Sequence, residues 1–185
     1  MSAHAEGEET PRRLGLVLFL VSVAVMFIAS LIAYGATRAS QDHWVSIGIP
    51  GGLWGSSALA LGITVVMRRA RDDVARNELQ RARRHLHLTV GLAAAFLAAQ
   101  ALNWLVVHTD EVVSHSLYAA TFYMLTGLHA LHVLGGVVPL VVTTVRAGRG
   151  EYSSSRMEAL RLLTLYWDFL AAVWVVLFAA LWLGS

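Results

Sequence analysis

Residues 14–37 of this chain carry no charged side chain, and neither do residues 47–67, 88–107 or 116–145. A fifth stretch, residues 162–183, carries one, Asp168. A hydrocarbon layer about 30 Å thick is crossed by roughly 20 residues of helix, so each stretch is long enough to span a membrane. This constrains the fold more than any other feature. In lipid every backbone N–H and C=O must find its partner inside the protein, which leaves α-helices or a closed barrel. Barrel strands would alternate in short segments, and no such pattern is present. The expected fold is an all-α integral membrane bundle of five transmembrane helices. A polar tail over residues 1–13 precedes a single membrane domain over residues 14–185. The composition agrees, with 57% hydrophobic and 14% charged residues against about 25% charged in soluble domains.

Arginine placement sets the expected orientation. The chain has 14 basic residues, all of them arginine. With the N-terminus inside, the inner segments hold Arg12 and Arg13, then seven arginines from Arg68 to Arg84, then Arg146, Arg149, Arg156 and Arg161; only Arg38 lies outside. An N-terminus in the cytoplasm and a C-terminus outside follow from the positive-inside rule. The pI of 9.4 then reflects membrane-flanking arginines rather than nucleic-acid binding. The chain lacks cysteine, which excludes disulfides, thiolate metal sites and a thiol nucleophile. The first apolar run exceeds the roughly 7–15 residues of a cleavable signal, so it reads as a retained helix. The inner segment from Arg68 to Arg84 has neither Gly nor Pro and is expected to continue as helix beyond the membrane, with Asp72 or Asp73 reaching Arg76 across one turn. Arg68, Arg69 and Arg84 there could hold anionic lipid headgroups. Pro50 falls in the first turn of the second span, where its missing N–H does no harm. Ser155 and Glu158 fit a capping box before the last span.

Polar groups inside hydrocarbon are costly, and so they mark candidate functional positions. His129 and His132 share one helix face, about 60° apart at three-residue spacing. Axial haem ligation needs histidines on different helices, and a small metal ion needs a third and fourth ligand. Of the other histidines, His85 and His87 sit at span ends inside, and His108 and His115 at span ends outside. The expected role is therefore interhelical hydrogen bonding. Asp168 falls near the depth of His132 and is expected to pair with it, or failing that with His129, as a staple or a proton-relay element. Gln100 and Asn103 form a second polar pair, beside Trp104. Trp44, Trp54, Trp104 and Trp182 fall toward the outer boundary as an aromatic belt, and Trp174 is placed for packing. Small residues such as Ser57, Gly62, Ala93 and Gly135-Gly136 allow close helix approach.

Four blocks carry a resemblance to a known family. They are Arg13-Leu-Gly-Leu-Val-Leu-Phe-Leu20 with Met26-Phe27 and Tyr34; Leu53-Trp-Gly-Ser-Ser57; Thr121-Phe-Tyr-Met-Leu-Thr-Gly-Leu-His-Ala-Leu-His-Val133; and Tyr166-Trp-Asp-Phe-Leu-Ala-Ala-Val-Trp174. Together they resemble subunit III of the haem–copper terminal oxidases, in the short five-helix bacterial form. The resemblance implies a subunit that binds no cofactor itself, packed in a bacterial inner membrane with subunit II and the haem- and copper-bearing subunit I. It also implies structural phospholipids, support of assembly and turnover, and a contribution to oxygen or proton access. The third and fourth blocks bring His129, His132 and Trp167 into the family's pattern. Val23 and Asn103 stand where the family often has glutamates, and Asp168 and Ala172 replace its closing His and Asp. The carboxylates linked to proton supply are thus missing. This points to a divergent member, with the accessory subunit of a nitric oxide reductase as the alternative.

Three other classes predict different features. A dihaem membrane cytochrome needs histidines facing across helices. A transporter needs inverted repeats and broken helices around a midplane site. An independent enzyme needs a nucleophile–base constellation or a metal cluster. The sequence offers none of these patterns.

Overall fold

The computed structural model describes residues 3–41, 51–109, 116–149 and 154–184. They form five helices: α1 (Ala3–Ala39), α2 (Gly52–Ala75), α3 (Leu79–Thr109), α4 (Leu117–Gly148) and α5 (Ser154–Gly184). Among the described residues, α1, α3, α4 and α5 are long and apolar enough to cross a membrane on their own composition. In α2 the uncharged run ends at Met67, and Arg68, Arg69, Arg71, Asp72 and Asp73 occupy its final turns. The expected second span began at residue 47, but residues 47–50, Pro50 among them, lie outside the described residues. The helices overrun the apolar segments elsewhere. The first continues back through Pro11 into the polar tail, and α3 starts nine residues before its apolar run at Leu88. Ser116 caps α4 by accepting from the Ala119 N–H at 3.2 Å, which satisfies one of the unpaired donors of the first turn.

The polar inner segment forms a tight hairpin instead of one continuous helix. Asn77 adopts φ 62°, and the Glu78 N–H closes back to the Asp73 carbonyl at 2.8 Å. That six-residue closure around a left-handed residue is a Schellman stop, with asparagine in the place usually held by glycine. Asp72 pairs with Arg71 at 2.9 Å. Asp73 turns inward to His85 across the hairpin at 2.6 Å. Neither reaches Arg76, which corrects the expected one-turn pairing.

α2, α3, α4 and α5 close into a ring in which each packs on two neighbours, and α1 lies outside it against α4 and α5. Cross-helix contacts give the register. On α3 and α4, Trp104 lies level with Thr126 and Phe96 with His129. On α2 and α5, Trp54 meets Phe178, Ser57 meets Trp174 and Arg68 meets Asp168. Each of these pairs is antiparallel. α1 runs parallel to α5, from Phe19 beside Tyr166 to Arg38, which donates to the Leu183 carbonyl at 3.0 Å. This arrangement gathers the arginines at one end of the bundle, with Arg38 at the other.

The outside of the bundle is more apolar than parts of its inside. Leu18, Val25 and Ile32, one helical face of α1, are 59%, 61% and 67% exposed, whereas Ser56, Gln100, Asn103, Thr126 and His129 are buried. A soluble protein does not expose apolar surface on that scale; the pattern is that of a protein bathed in lipid. Several hydroxyls in the bundle are satisfied by their own helices. Thr126, Thr144 and Thr164 each donate to the carbonyl four residues back at 2.6–2.8 Å, a bond that lets a polar side chain sit in hydrocarbon.

Among the described residues, three glycines sit where a Cβ would meet a neighbouring helix, Gly136 and Gly52 among them. A Cβ at Gly136 would stand 2.5 Å from Tyr166 Cε1 on α5, and a Cβ at Gly52 would collide with the Asn103 side chain on α3. Gly135 faces away, its nearest neighbour being the Tyr166 hydroxyl at 3.8 Å. Of the expected glycine pair, only Gly136 serves close packing.

Candidate functional site

The buried polar groups form a seam along the interior of the ring. At the end opposite the arginines, Asn103 Nδ2 donates to Ser56 Oγ at 3.1 Å and to Gln100 Oε1 at 3.0 Å. This joins α2 to α3 and brings Ser56 to the Gln100–Asn103 pair as a third member. Trp104 Nε1 donates to Thr126 Oγ1 at 2.9 Å, and the Tyr123 hydroxyl donates back to the Trp104 carbonyl at 3.0 Å. These two bonds tie α3 to α4. Trp54 and Trp182 lie exposed at this same end, while Trp44 and His115 lie outside the described residues.

At mid-depth stands His129, 1% exposed and enclosed by aromatic rings. Its ring centroid lies 5.0 Å from Trp174, 5.7 Å from Phe96 and 6.2 Å from Phe27. Trp174 is itself fixed by donating to Ser57 Oγ on α2 at 3.0 Å and by an edge-on contact with Phe96 at 5.1 Å. The mid-span tryptophan expected to serve packing is thus also a hydrogen-bonding link.

His132 lies one turn away but looks elsewhere. Its Nδ1 pairs with the Leu128 carbonyl at 2.8 Å, and its own carbonyl accepts from the Tyr166 hydroxyl at 2.7 Å. Phe27 lies 5.4 Å from its ring. The expected Asp168–His132 pair does not form. Two residues turn a helix by about 200°, so with Tyr166 facing α4, Asp168 faces α2. There it accepts from Arg68 Nε at 3.1 Å on both carboxylate oxygens, with Nη2 at 3.0 Å. This bidentate contact is the geometry best suited to a guanidinium–carboxylate pair. Asp168 holds the Arg68 guanidinium above its already high ordinary value, first by hydrogen bonding and then by charge. A depth estimate along α4 alone could not identify this partner, because the choice depends on which helix neighbours α5.

The remaining candidates divide. Trp167 is buried at 2% exposure between α4 and α5. Arg69 and Arg84 are exposed at the arginine end. Sequence reasoning missed Ser56, Tyr166 and the Asp73–His85 pair. Ser56 borders a small-residue run, and Asp73 and His85 could have been matched only once the Asn77 stop was known. Ser155, half of the expected capping box, lies outside the residues whose side chains are described.

The seam is built to join helices. Among the described residues no group of three His, Asp or Glu side chains converges on a metal-sized space. The two motif histidines stand on one helix and occupy different environments. Polar pairs between helices link α2–α3, α3–α4, α2–α5 and α4–α5.

Comparison with known proteins agrees with this picture. A family model described as cytochrome c oxidase subunit III matches residues 2–185. A cytochrome c oxidase subunit 3 of Corynebacterium diphtheriae is 30% identical over 183 residues, covering 91% of this chain and 85% of the relative. One from Synechocystis is 28% identical over 96% of this chain and 77% of its own length. One from Thermostichus vulcanus is 25% identical over 97% and 90%. With its sequence matched from end to end and its helices joined by internal polar pairs, the chain belongs to the cytochrome c oxidase subunit III family.

Proposed function

We propose that the chain serves as the non-redox third subunit of a haem–copper oxidase in a bacterial inner membrane, assembled with the subunits that carry the haem and copper and reduce oxygen to water. The match over residues 2–185 carries this reading. In it, the chain contributes structure and neighbours rather than a reaction of its own. The polar pairs hold the helices together, and the apolar exterior is left to lipid and to partner subunits I and II. All five helices span, with the N-terminus in the cytoplasm. Two features support that topology: the arginines gathered at one end of the bundle, and the packing of α2 against α3 and α5. Arg69 and Arg84, exposed at that end, are available to phospholipid headgroups, whereas Arg68 is engaged by Asp168.

The test is purification of the tagged chain from its native membrane in mild detergent, with proteomics and a reduced-minus-oxidised spectrum. Recovery of a haem–copper subunit I, and loss of haem when the partners are stripped away, is the expected result. A partner that reduces nitric oxide would move the assignment to that branch. Haem retained by the isolated chain would overturn the reading.

A further inference from the structure

Two buried polar atoms have no protein partner among the described residues at the same place in the bundle: His129 Nδ1 on α4 and Trp167 Nε1 on α5. Their residues are 1% and 2% exposed. Leaving either atom unpaired in a low-dielectric interior is costly, and native proteins rarely do so. Both residues line one small cavity, with Ala60 from α2, Phe96 from α3 and Ala171 from α5 completing its wall. The space open to the centre of a water-sized sphere is about 10 Å³, close to the minimum that admits a single water.

We propose that this cavity is a binding site for one structural water molecule that bridges Trp167 Nε1 to His129 Nδ1. The donor inventory fixes one of its bonds. An indole N–H only donates, so the water accepts from Trp167. Its protons are then free to donate to His129 Nδ1 when that nitrogen is bare, and its second lone pair accepts when that nitrogen carries the proton. The bridge adds a second polar tie between α4 and α5, one turn from the Tyr166–His132 bond. It also gives the first histidine of the motif a role distinct from that of the second, whose Nδ1 is engaged by its own helix.

The test uses the assembled complex. A cryo-EM map sharp enough to resolve other buried waters is expected to contain a single peak within hydrogen-bonding distance of both atoms; an empty cavity in such a map overturns the proposal. Ultraviolet resonance Raman gives an independent readout. The difference between wild type and Trp167→Phe isolates the Trp167 indole, whose hydrogen-bond marker band is expected at the bonded position; the free-indole position refutes the bridge. Ala171→Val fills the cavity without removing either polar group. It is expected to shift that band to the free position, and a bonded band that persists identifies a partner other than water. If Ala171→Val does not assemble, the wild-type difference spectrum still decides.

Discussion

Adjacent glycines on α4 should respond in opposite ways to the same substitution. Alanine at either position gains helix propensity of about 1 kcal/mol. At Gly135 the new methyl meets nothing closer than the Tyr166 hydroxyl at 3.8 Å, which is ordinary contact. At Gly136 it would stand 2.5 Å from Tyr166 Cε1, 3.2 Å from Cδ1 and 3.4 Å from Trp167 Cζ2. Carbon atoms rest at about 3.5–4.0 Å, so the Tyr166 ring must retreat by about 1 Å. It is poorly placed to do so, because its hydroxyl is bonded to the His132 carbonyl at 2.7 Å and its face lies against Phe19. Overpacking of this kind costs about 1–3 kcal/mol. The expected gap between Gly135→Ala and Gly136→Ala is about 2 kcal/mol, or about 4–8 °C in Tm for a chain of this size. The assay is thermal unfolding of the detergent-solubilised protein followed by near-ultraviolet circular dichroism. Repeating it in a Tyr166→Ala background should remove most of the gap. Equal shifts for the two glycine variants would refute the reasoning, because they would mean that α4 and α5 are not held at this distance by Gly136.

Four further outcomes follow from the seam. Asn103→Ala and Ser56→Ala should each lower stability, with a coupling near 0.6 kcal/mol and at most about 1.7 kcal/mol in a double-mutant cycle; strict additivity would break the α2–α3 link. Ser57→Ala should cost about 1 kcal/mol, and nearly nothing further once Trp174 is replaced by Phe, as measured by chemical denaturation in micelles. For the Arg68–Asp168 clasp, Asp168→Asn and Arg68→Gln should each weaken complex assembly on native gels, and combining them should add little; weakening by His132→Gln but not Arg68→Gln would restore the expectation drawn from sequence. Asn77→Gly should be neutral or mildly stabilising, whereas Asn77→Val should cost about 1–2 kcal/mol in the same unfolding assay, because a β-branched residue resists positive φ.

Much of the architecture was legible because hydrocarbon imposes a simple rule on backbone polarity. Uncharged runs located the helices, and the Gln100–Asn103 spacing identified a polar face that does bond across to another helix. Chain order alone could not supply the neighbours. Asp168 was expected to meet His132 from depth along one helix, but the partner is decided by rotation about α5, which turns Tyr166 toward α4 and Asp168 toward α2. The hairpin stop was hidden for another reason. Asparagine takes the left-handed conformation less often than glycine does, so Asn77 raised no signal within an otherwise helix-favouring segment. Ser57 counted as a small residue for close packing and Ser56 drew no notice, and their roles as acceptors for Trp174 and Asn103 depend on the partner helices.

The placement of α1 has a consequence for biogenesis. It is made before the other four helices described, yet among the described residues it contacts only α4 and α5. At elongation rates of about 5–20 residues per second, on the order of ten seconds separate its emergence from that of its docking partners. During that interval it must persist in the bilayer as a solitary segment. Its uncharged run suits this, and its face of Leu18, Val25 and Ile32 stays turned to lipid even after docking. The remaining four helices can close their ring without waiting for it, so α1 is the last of the five to find its seat.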